Sequence, residues 1–138
     1  MSPVDWPDME ALLLARIVPR VATELLPEDA VLLSASTDLP AALAGSWHLR
    51  VRVISGSNNS VTEQSRVDVD SFAPTREMAY DLSSITRYVL EGLAATAEPD
   101  GSGLIDAVST TQRPVWVDYA NPAIQCFQTS HIVSVRQQ

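Results

Sequence analysis

The sequence predicts one α+β domain built on a mostly antiparallel sheet of four to five strands. Five stretches are apolar or alternate between apolar and polar residues, as strands do, and two stretches repeat apolar residues at helical spacing. The length of 138 residues suits a single domain. Neither an internal repeat nor a linker interrupts the pattern, so we expect one domain over 1–138.

An N-terminal helix is the first predicted element. Val4 and Met9 have the spacing of a hydrophobic staple around an N-cap at Asp5. Pro19 lacks a backbone donor and clashes with the preceding turn, so we expect the helix to be kinked or split near Pro19. Its apolar stripe consists of Met9, Leu12, Leu13, Ile17, Val21 and Leu25.

A first strand over 30–37 and a long hairpin follow. The hairpin pairs 48–55 with 61–72 across the turn-forming stretch 56–60. Strict alternation predicts an apolar inner face and an exposed, charged outer face. The residues expected on the outer face are His48, Arg50, Arg52, Arg66, Asp68 and Asp70.

One long helix, about 75–95, is expected to pack on one face of the sheet. Thr75 is its predicted N-cap, and Glu77 suits the positive end of the helix dipole. Two further strands, 104–118 and 124–135, complete the sheet. The apolar stripe of the helix consists of Met78, Leu82, Ile85, Val89 and Leu93.

The charge balance limits the classes of partner. The chain has 17 acidic residues and 9 basic residues, all of them arginine, which gives a net charge of −8. Binding to a phosphate backbone depends on basic residues, so any contact with DNA should be passive. The apolar run 11–15 is far shorter than the ~20 residues of a membrane helix, and acidic residues precede it. We therefore expect a protein without a membrane or signal segment that is intracellular at synthesis.

Candidate chemical sites are few. Cys126 is the single cysteine, and no CxxC or HxxxH spacing occurs, so we predict a buried core thiol and no zinc site. Asp68 and Asp70 share a strand face, but a metal site would need further ligands nearby. We expect both acids to face arginines of a neighbouring strand.

Catalysis is not predicted. His48 and His131 lie in strand patterns, without a G-x-S-x-G elbow or a glycine-rich phosphate loop. We predict no catalytic residue, no cofactor and no bound metal. A small ligand-binding or hydrolytic domain that uses His48 or His131 remains an alternative.

Aromatic residues beside turns, together with the charged strand face, favour an interaction protein. The set includes side chains from both predicted hairpins. The candidate interface consists of Trp47, Arg50, Arg52, Arg66, Asp68, Asp70, Trp116 and Tyr119.

The stretch 66–82, RVDVDSFAPTREMAYDL, resembles the strand-to-helix signature of tail terminator proteins from long-tailed (siphovirus-type) bacteriophages. The segments 36–40 and 49–53 are similar to a second region of that family. The segments 114–118 and 121–122, with the closing 133–136, resemble its last hairpin. The likeness spans most of the chain from about residue 31. Phe72 stands where the family usually has tryptophan, and no residue role transfers.

The resemblance implies a structural virion protein. Such proteins form a ring, typically a hexamer, that caps the tail-tube polymer, ends tail elongation and joins the tail to the head-side connector. The expected partners are other copies of the chain, the tail-tube protein and the connector or stopper, with DNA only passing through the lumen. The expected location is the tail or neck of the virion, and the host cytoplasm during assembly. Another connector, stopper or tail-completion neck protein is the closest alternative.

Overall fold

The structure, a computed structural model, describes residues 9–25, 33–36, 47–58, 62–94, 96–97, 104–119 and 123–136. These residues form two helices and six strands, as the α+β prediction requires. In chain order the elements are α1 (Met9–Glu24), β1 (Leu33–Ser36), β2 (Trp47–Asn58), β3 (Thr62–Ala73), α2 (Arg76–Glu91), β4 (Thr96–Ala97), β5 (Leu104–Val117) and β6 (Gln125–Arg136).

The strands form one sheet in the order β1-β2-β3-β6-β5-β4. Every neighbouring pair is antiparallel except β1 and β2, which are parallel. The mostly antiparallel sheet is therefore confirmed, with two additions. The parallel pairing of β1 was not predicted, and β4 adds a two-residue strand beside the start of β5.

Both helices pack on the same face of the sheet. The apolar positions of β2 and β3 alternate toward this helix-covered face, as predicted, and meet the apolar stripes of α1 and α2. Leu13, Ile17, Leu49, Val51 and Leu82 are fully buried between the two layers. The cluster also includes residues from β5 and β6, so the main core spans the width of the sheet.

The start of α2 follows the prediction closely. Thr75 has an extended backbone, and its hydroxyl accepts a hydrogen bond from the Met78 amide at 3.2 Å. This contact satisfies one of the amides that the first turn of a helix leaves without a partner. The helix ends at Glu91, slightly earlier than expected, and Gly92 caps it through a bond from its amide to the Tyr88 carbonyl.

Pro19 does not split the first helix. The helix runs from Met9 to Glu24 with Pro19 inside it. Proline removes only the hydrogen bond to the carbonyl four residues earlier, that of Ala15. Ala15 and Pro19 are both exposed, so this carbonyl lies on the solvent side of α1. The predicted kink stays a prediction, and the expected cap at Asp5 lies outside the described residues.

The β2–β3 hairpin is longer than predicted. Residues 56–58, expected in the turn, continue β2 and pair with residues 63–65 of β3. The register shifts between Val53 and Ser55, which inserts Ile54 as an extra residue and lets the strands stay paired beyond it. The prediction of a five-residue turn over 56–60 was therefore wrong at its N-terminal end. Neither described helix is long and apolar enough to span a membrane.

Candidate functional site

An ionic network lies on the open face, the side of the sheet opposite the two helices. The β2–β3 register places Arg50 opposite Asp70 and Arg52 opposite Asp68. Both Nε and Nη2 of Arg50 lie 2.7 Å from Asp70 Oδ2. Arg52 Nη2 lies 3.3 Å from the same oxygen and 3.9 Å from Asp68 Oδ2. The predicted pairing of the two acids with arginines of a neighbouring strand is therefore confirmed.

Strand β6 supplies the other half of this network. Gln128 donates from Nε2 to Asp70 Oδ1 at 2.9 Å, and Ser130 donates its hydroxyl to Asp68 Oδ1 at 2.7 Å. Each carboxylate is thus held from both sides, because β3 lies between β2 and β6. Hydrogen bonds to ionised groups of this kind are shorter and stronger than neutral ones.

The network is buried, although the sequence predicted an exposed charged face. Asp70 is 2% exposed and Asp68 is 8% exposed. Their carboxylates are short and central, and the longer side chains of Arg50, Arg52 and Gln128 close over them. Alternation identified the face correctly, but it could not show that the polar side chains would bury one another.

A small aromatic cluster continues the open face beyond the network. Phe72 is buried with Cys126 and Ile124, and Tyr119 meets Phe72 edge-on with ring centroids 5.3 Å apart. The Arg50 guanidinium lies 5.8 Å from the centroid of the Phe72 ring, which joins the cluster to the ionic network. Burial raises the pKa of the Cys126 thiol to about 12, as expected for a core cysteine.

Two other candidate residues lie apart from the network. Trp47 packs in the main core on the helix-covered face, and its Nε1 has no hydrogen-bond partner among the described residues. Arg66 lies on the open face in β3, where its side chain is exposed. The structure therefore brings together Arg50, Arg52, Asp68 and Asp70 but places Trp47 on the opposite side of the sheet.

Trp116 belongs to an exposed groove between the start of α2 and the end of β5. The groove has a volume of about 700 Å³, and Arg76, Tyr80, Pro114, Val115, Trp116 and Phe127 line it together with the acids Glu77 and Asp81. The Arg76 guanidinium lies 5.8 Å from the Trp116 ring centroid and 5.5 Å from that of Phe127. Trp116 is 42% exposed and Tyr80 49% exposed, so large aromatic surfaces face solvent.

A second hollow adjoins this groove. It shares Tyr80, Pro114 and Val115 with the first and adds Arg87 and Arg113. Arg87 binds Glu91 within α2 at 3.0 Å. We call the two hollows together the β5 groove. Exposed tryptophan, tyrosine and arginine side chains are the types enriched where proteins bind one another.

Both histidines are held by hydroxyl groups. His48 Nδ1 lies 2.7 Å from the Ser34 hydroxyl, and His48 Nε2 lies 2.9 Å from the Ser36 hydroxyl. These contacts join β1 to β2 beyond their backbone pairing. The arrangement is the structural role that the sequence favoured for His48.

His131 is buried between α2 and the sheet and belongs to a chain of hydrogen bonds that ends at exposed Glu91. The Thr110 hydroxyl donates to Glu91 Oε1 at 2.7 Å, so at 3.2 Å its oxygen accepts a hydrogen bond from the Nδ1–H group of His131. His131 Nε2 then accepts from the Thr129 hydroxyl at 2.8 Å. Burial lowers the pKa of His131 to about 4. The bond from Thr110, with help from Arg87, lowers the pKa of Glu91.

Some residues of these surfaces were not identified from the sequence. The alternation of β6 would have placed Gln128 and Ser130 on the same face as Asp68, but it did not reveal which strand neighbours β3. The contact of Arg76 with Trp116 joins residues far apart in the chain, and no local pattern signals it. Within the described residues, no group of three or more metal-ligating side chains gathers.

The comparisons with known proteins give a fold likeness. No protein-family model and no curated protein matches the sequence. Among solved structures, the chain resembles one from the virion of a native gene transfer agent (GTA) particle, with a TM-score of 0.56 and 14% identity. The match covers 90% of this chain and 97% of that chain. The two chains therefore share a fold over nearly their whole lengths.

Proposed function

We propose that the protein is a structural component of a virion and acts as a tail terminator. In this proposal a ring of copies caps the tail-tube polymer, ends its elongation and meets the head-side connector. The observation that carries the proposal is the fold likeness to a chain of a virion particle, which includes 97% of that chain. This likeness supports a structural component of a virion, and the resemblance of residues 66–82 to tail terminators supports the more specific role.

The mechanism of such a cap is physical and not chemical. A growing tube keeps one unsatisfied interface on each subunit of its last ring, and any surface that matches it allows further addition. A ring that binds this end but presents a different opposite surface stops growth. The sheet here offers unlike surfaces, because one face carries α1 and α2 and the other carries the buried ionic network.

The acidic composition suits a ring through which DNA passes. The net charge of −8 per copy repels phosphates, and binding to a phosphate backbone needs clustered basic residues. On the open face, Arg50 and Arg52 already bind the carboxylates of Asp68 and Asp70. These two arginines are therefore occupied within the subunit.

Deletion of the gene from the particle-producing element tests the proposal. We expect tails of abnormal, variable length, with normal length restored by the gene supplied in trans and with the protein located at the head-proximal tail end by labelling. Tails of normal length that fail to join heads would instead assign a connector, stopper or tail-completion role. Complete, functional particles without the protein would contradict both assignments.

A further inference from the structure

Exposed apolar side chains gather in the β5 groove. Among the residues that the structure describes, five large apolar or aromatic side chains are exposed. Three of them, Tyr80, Val115 and Trp116, line this groove, whereas Ile54 and Tyr88 lie outside it. A contiguous exposed apolar patch marks a surface that binds another protein, while single exposed apolar residues need no such explanation. The β5 groove is therefore the strongest contact surface on the described part of the chain.

The two walls of the groove carry opposite charges. The α2 wall carries the exposed acids Glu77 and Asp81, and the β5 wall carries the exposed base Arg113. None of these three side chains forms an ion pair with another described residue. Arg76, also on α2, lies over two aromatic rings of its own chain. The charges of both walls are thus available to a partner.

The backbone of β5 is poorly suited to extend the sheet. Pro114 cannot donate a hydrogen bond, and the pairing of β5 with β6 shifts register at three places along the strand. Proline and bulges on an edge strand oppose the addition of another strand. A partner in the β5 groove is therefore bound through side chains.

A second copy of the chain supplies the complement of both walls at once. When a two-fold axis relates two copies, the α2 wall of each copy faces the β5 wall of the other, so Asp81 lies opposite Arg113 twice. The net charge of −8 on each copy makes two copies repel each other. In the groove the unpaired charges balance, since the acids Glu77 and Asp81 are matched in number by two arginines. Contact between copies at this surface therefore carries the least repulsion.

We propose that the β5 groove is a self-association surface through which two copies of the chain form a two-fold symmetric dimer. In this dimer Tyr80 and Trp116 of each copy pack against the same residues of the other, and Asp81 pairs with Arg113 across the interface. A two-fold contact closes on two copies, so it differs from the repeated contact that forms a ring and goes beyond the proposed function. The dimer is the state expected of the free protein, away from a tail tube.

Two tyrosines on α2 provide a matched pair for the test. Tyr80 lines the groove, whereas Tyr88 is 69% exposed and lies outside it. We expect Tyr80→Ala to weaken dimerisation at least ~10-fold, because truncation of a central aromatic residue removes much of the binding energy of an interface. Tyr88→Ala should leave dimerisation unchanged. Sedimentation of the full chain over a range of concentrations measures the dissociation constant, and thermal unfolding checks that both variants are folded. Equal dimerisation of Tyr80→Ala and wild type would overturn the proposal.

Charge exchange tests the symmetry of the contact. Arg113→Glu and Asp81→Arg should each weaken dimerisation, because each places two pairs of like charges in the interface. Both changes in one chain restore opposite charges and should restore dimerisation, and so should an equal mixture of the two single variants. Arg66→Glu, a charge reversal at an exposed position of β3 outside the groove, is the control. Failure of both the combined variant and the mixture to recover association would overturn the two-fold contact.

The dimer and the proposed function fail in different ways. Wild-type protein that is monomeric at every concentration overturns the dimer, and the terminator role still stands if deletion of the gene alters tail length. Groove variants that dimerise like wild type but no longer bind tail tubes show that the groove binds the tube protein instead, which also overturns the dimer. A dimer that depends on Tyr80, together with tails of normal length after deletion, overturns the terminator role alone.

Discussion

The two faces of one sheet are buried by different means. Under the helices, apolar side chains from both layers interlock, and burial of apolar area supplies the stability. On the open face no described helix covers the strands, yet Asp70 and Phe72 are almost as inaccessible as the core. There the side chains of three neighbouring strands cover each other through ion pairs, hydrogen bonds and ring contacts.

This difference shows that burial does not identify the interaction that stabilises a region. An apolar core tolerates the loss of one contact in proportion to the volume removed. Loss of one partner from a buried ionic network instead strongly destabilises the protein, because the remaining charges stay buried without an opposite charge. The following predictions test this contrast, from the largest expected effect to the smallest.

A charge placed under α2 should have the largest effect. Leu82 is fully buried in the main core, so Leu82→Asp places an unpaired carboxylate among apolar side chains. We expect loss of several kcal/mol out of the ~5–15 kcal/mol that stabilise a domain, and hence an unfolded or insoluble protein. Tyr88→Asp places the same group on the exposed side of α2 and should change stability by less than ~0.5 kcal/mol. Circular dichroism and denaturant titration provide the measurement.

Removal of one network acid should rank next. Asp70→Ala leaves Arg50 and Arg52 without their shared carboxylate, which should cost about 3 kcal/mol. The combined replacement Arg50→Met, Arg52→Leu and Asp70→Leu removes all three charges and should recover much of that loss. Removing exposed Asp81 is the control. If Asp70→Ala and Asp81→Ala unfold at the same denaturant concentration, the network does not stabilise the open face.

Acid should weaken the helix-covered face through His131. Its pKa is about 4 in the folded chain, below the ordinary value of 6.5 for a free histidine side chain. Because the folded pKa is the lower one, the unfolded chain binds the proton first, and stability falls as the pH drops from about 6.5 to 4. The full loss is about 3 kcal/mol. His131→Gln should flatten this dependence, as read from urea unfolding at several pH values; an unchanged slope would contradict the assignment.

A small gain in stability is expected when Ser83 is replaced by alanine. Ser83 lies on the buried side of α2, and its hydroxyl has no hydrogen-bond partner among the described residues. Ser83→Ala removes this polar group and should stabilise the protein by up to about 1 kcal/mol. Thr86→Val is the comparison, since the Thr86 hydroxyl donates to the Leu82 carbonyl at 2.7 Å and its removal should not stabilise. A lower melting temperature for Ser83→Ala would indicate that its hydroxyl is bonded.

The sequence predicted what depends on local periodicity. Alternation gave the faces of Val51 and Asp70, and helical spacing gave the buried side of α2 around Leu82. Features that depend on which strands become neighbours were not predicted. The burial of Asp70 depends on Gln128 of the neighbouring strand β6, and β1 pairs with β2 in the parallel orientation. Neither feature produces a periodic pattern of apolar and polar residues in the sequence.

The same limit applies to the candidate interface. Trp116 is a candidate interface residue because aromatic residues beside turns often contact partners, and its ring is exposed in the structure. Arg76, which stacks against that ring, starts a helix about 40 positions earlier, and only the folded chain brings the two together. The role of Trp116 in an interface stays a prediction.

The short connection between β3 and α2 has a mechanical consequence. Only Pro74 and Thr75 separate the end of β3 from the start of α2, and the Thr75 hydroxyl is bonded to the first turn. Strand β3, which carries Asp68 and Asp70, is therefore connected to α2 by a linker too short to let the two elements move independently. A force applied to α2 would therefore be transmitted directly to β3, where backbone pairing with β2 on one side and β6 on the other resists shear.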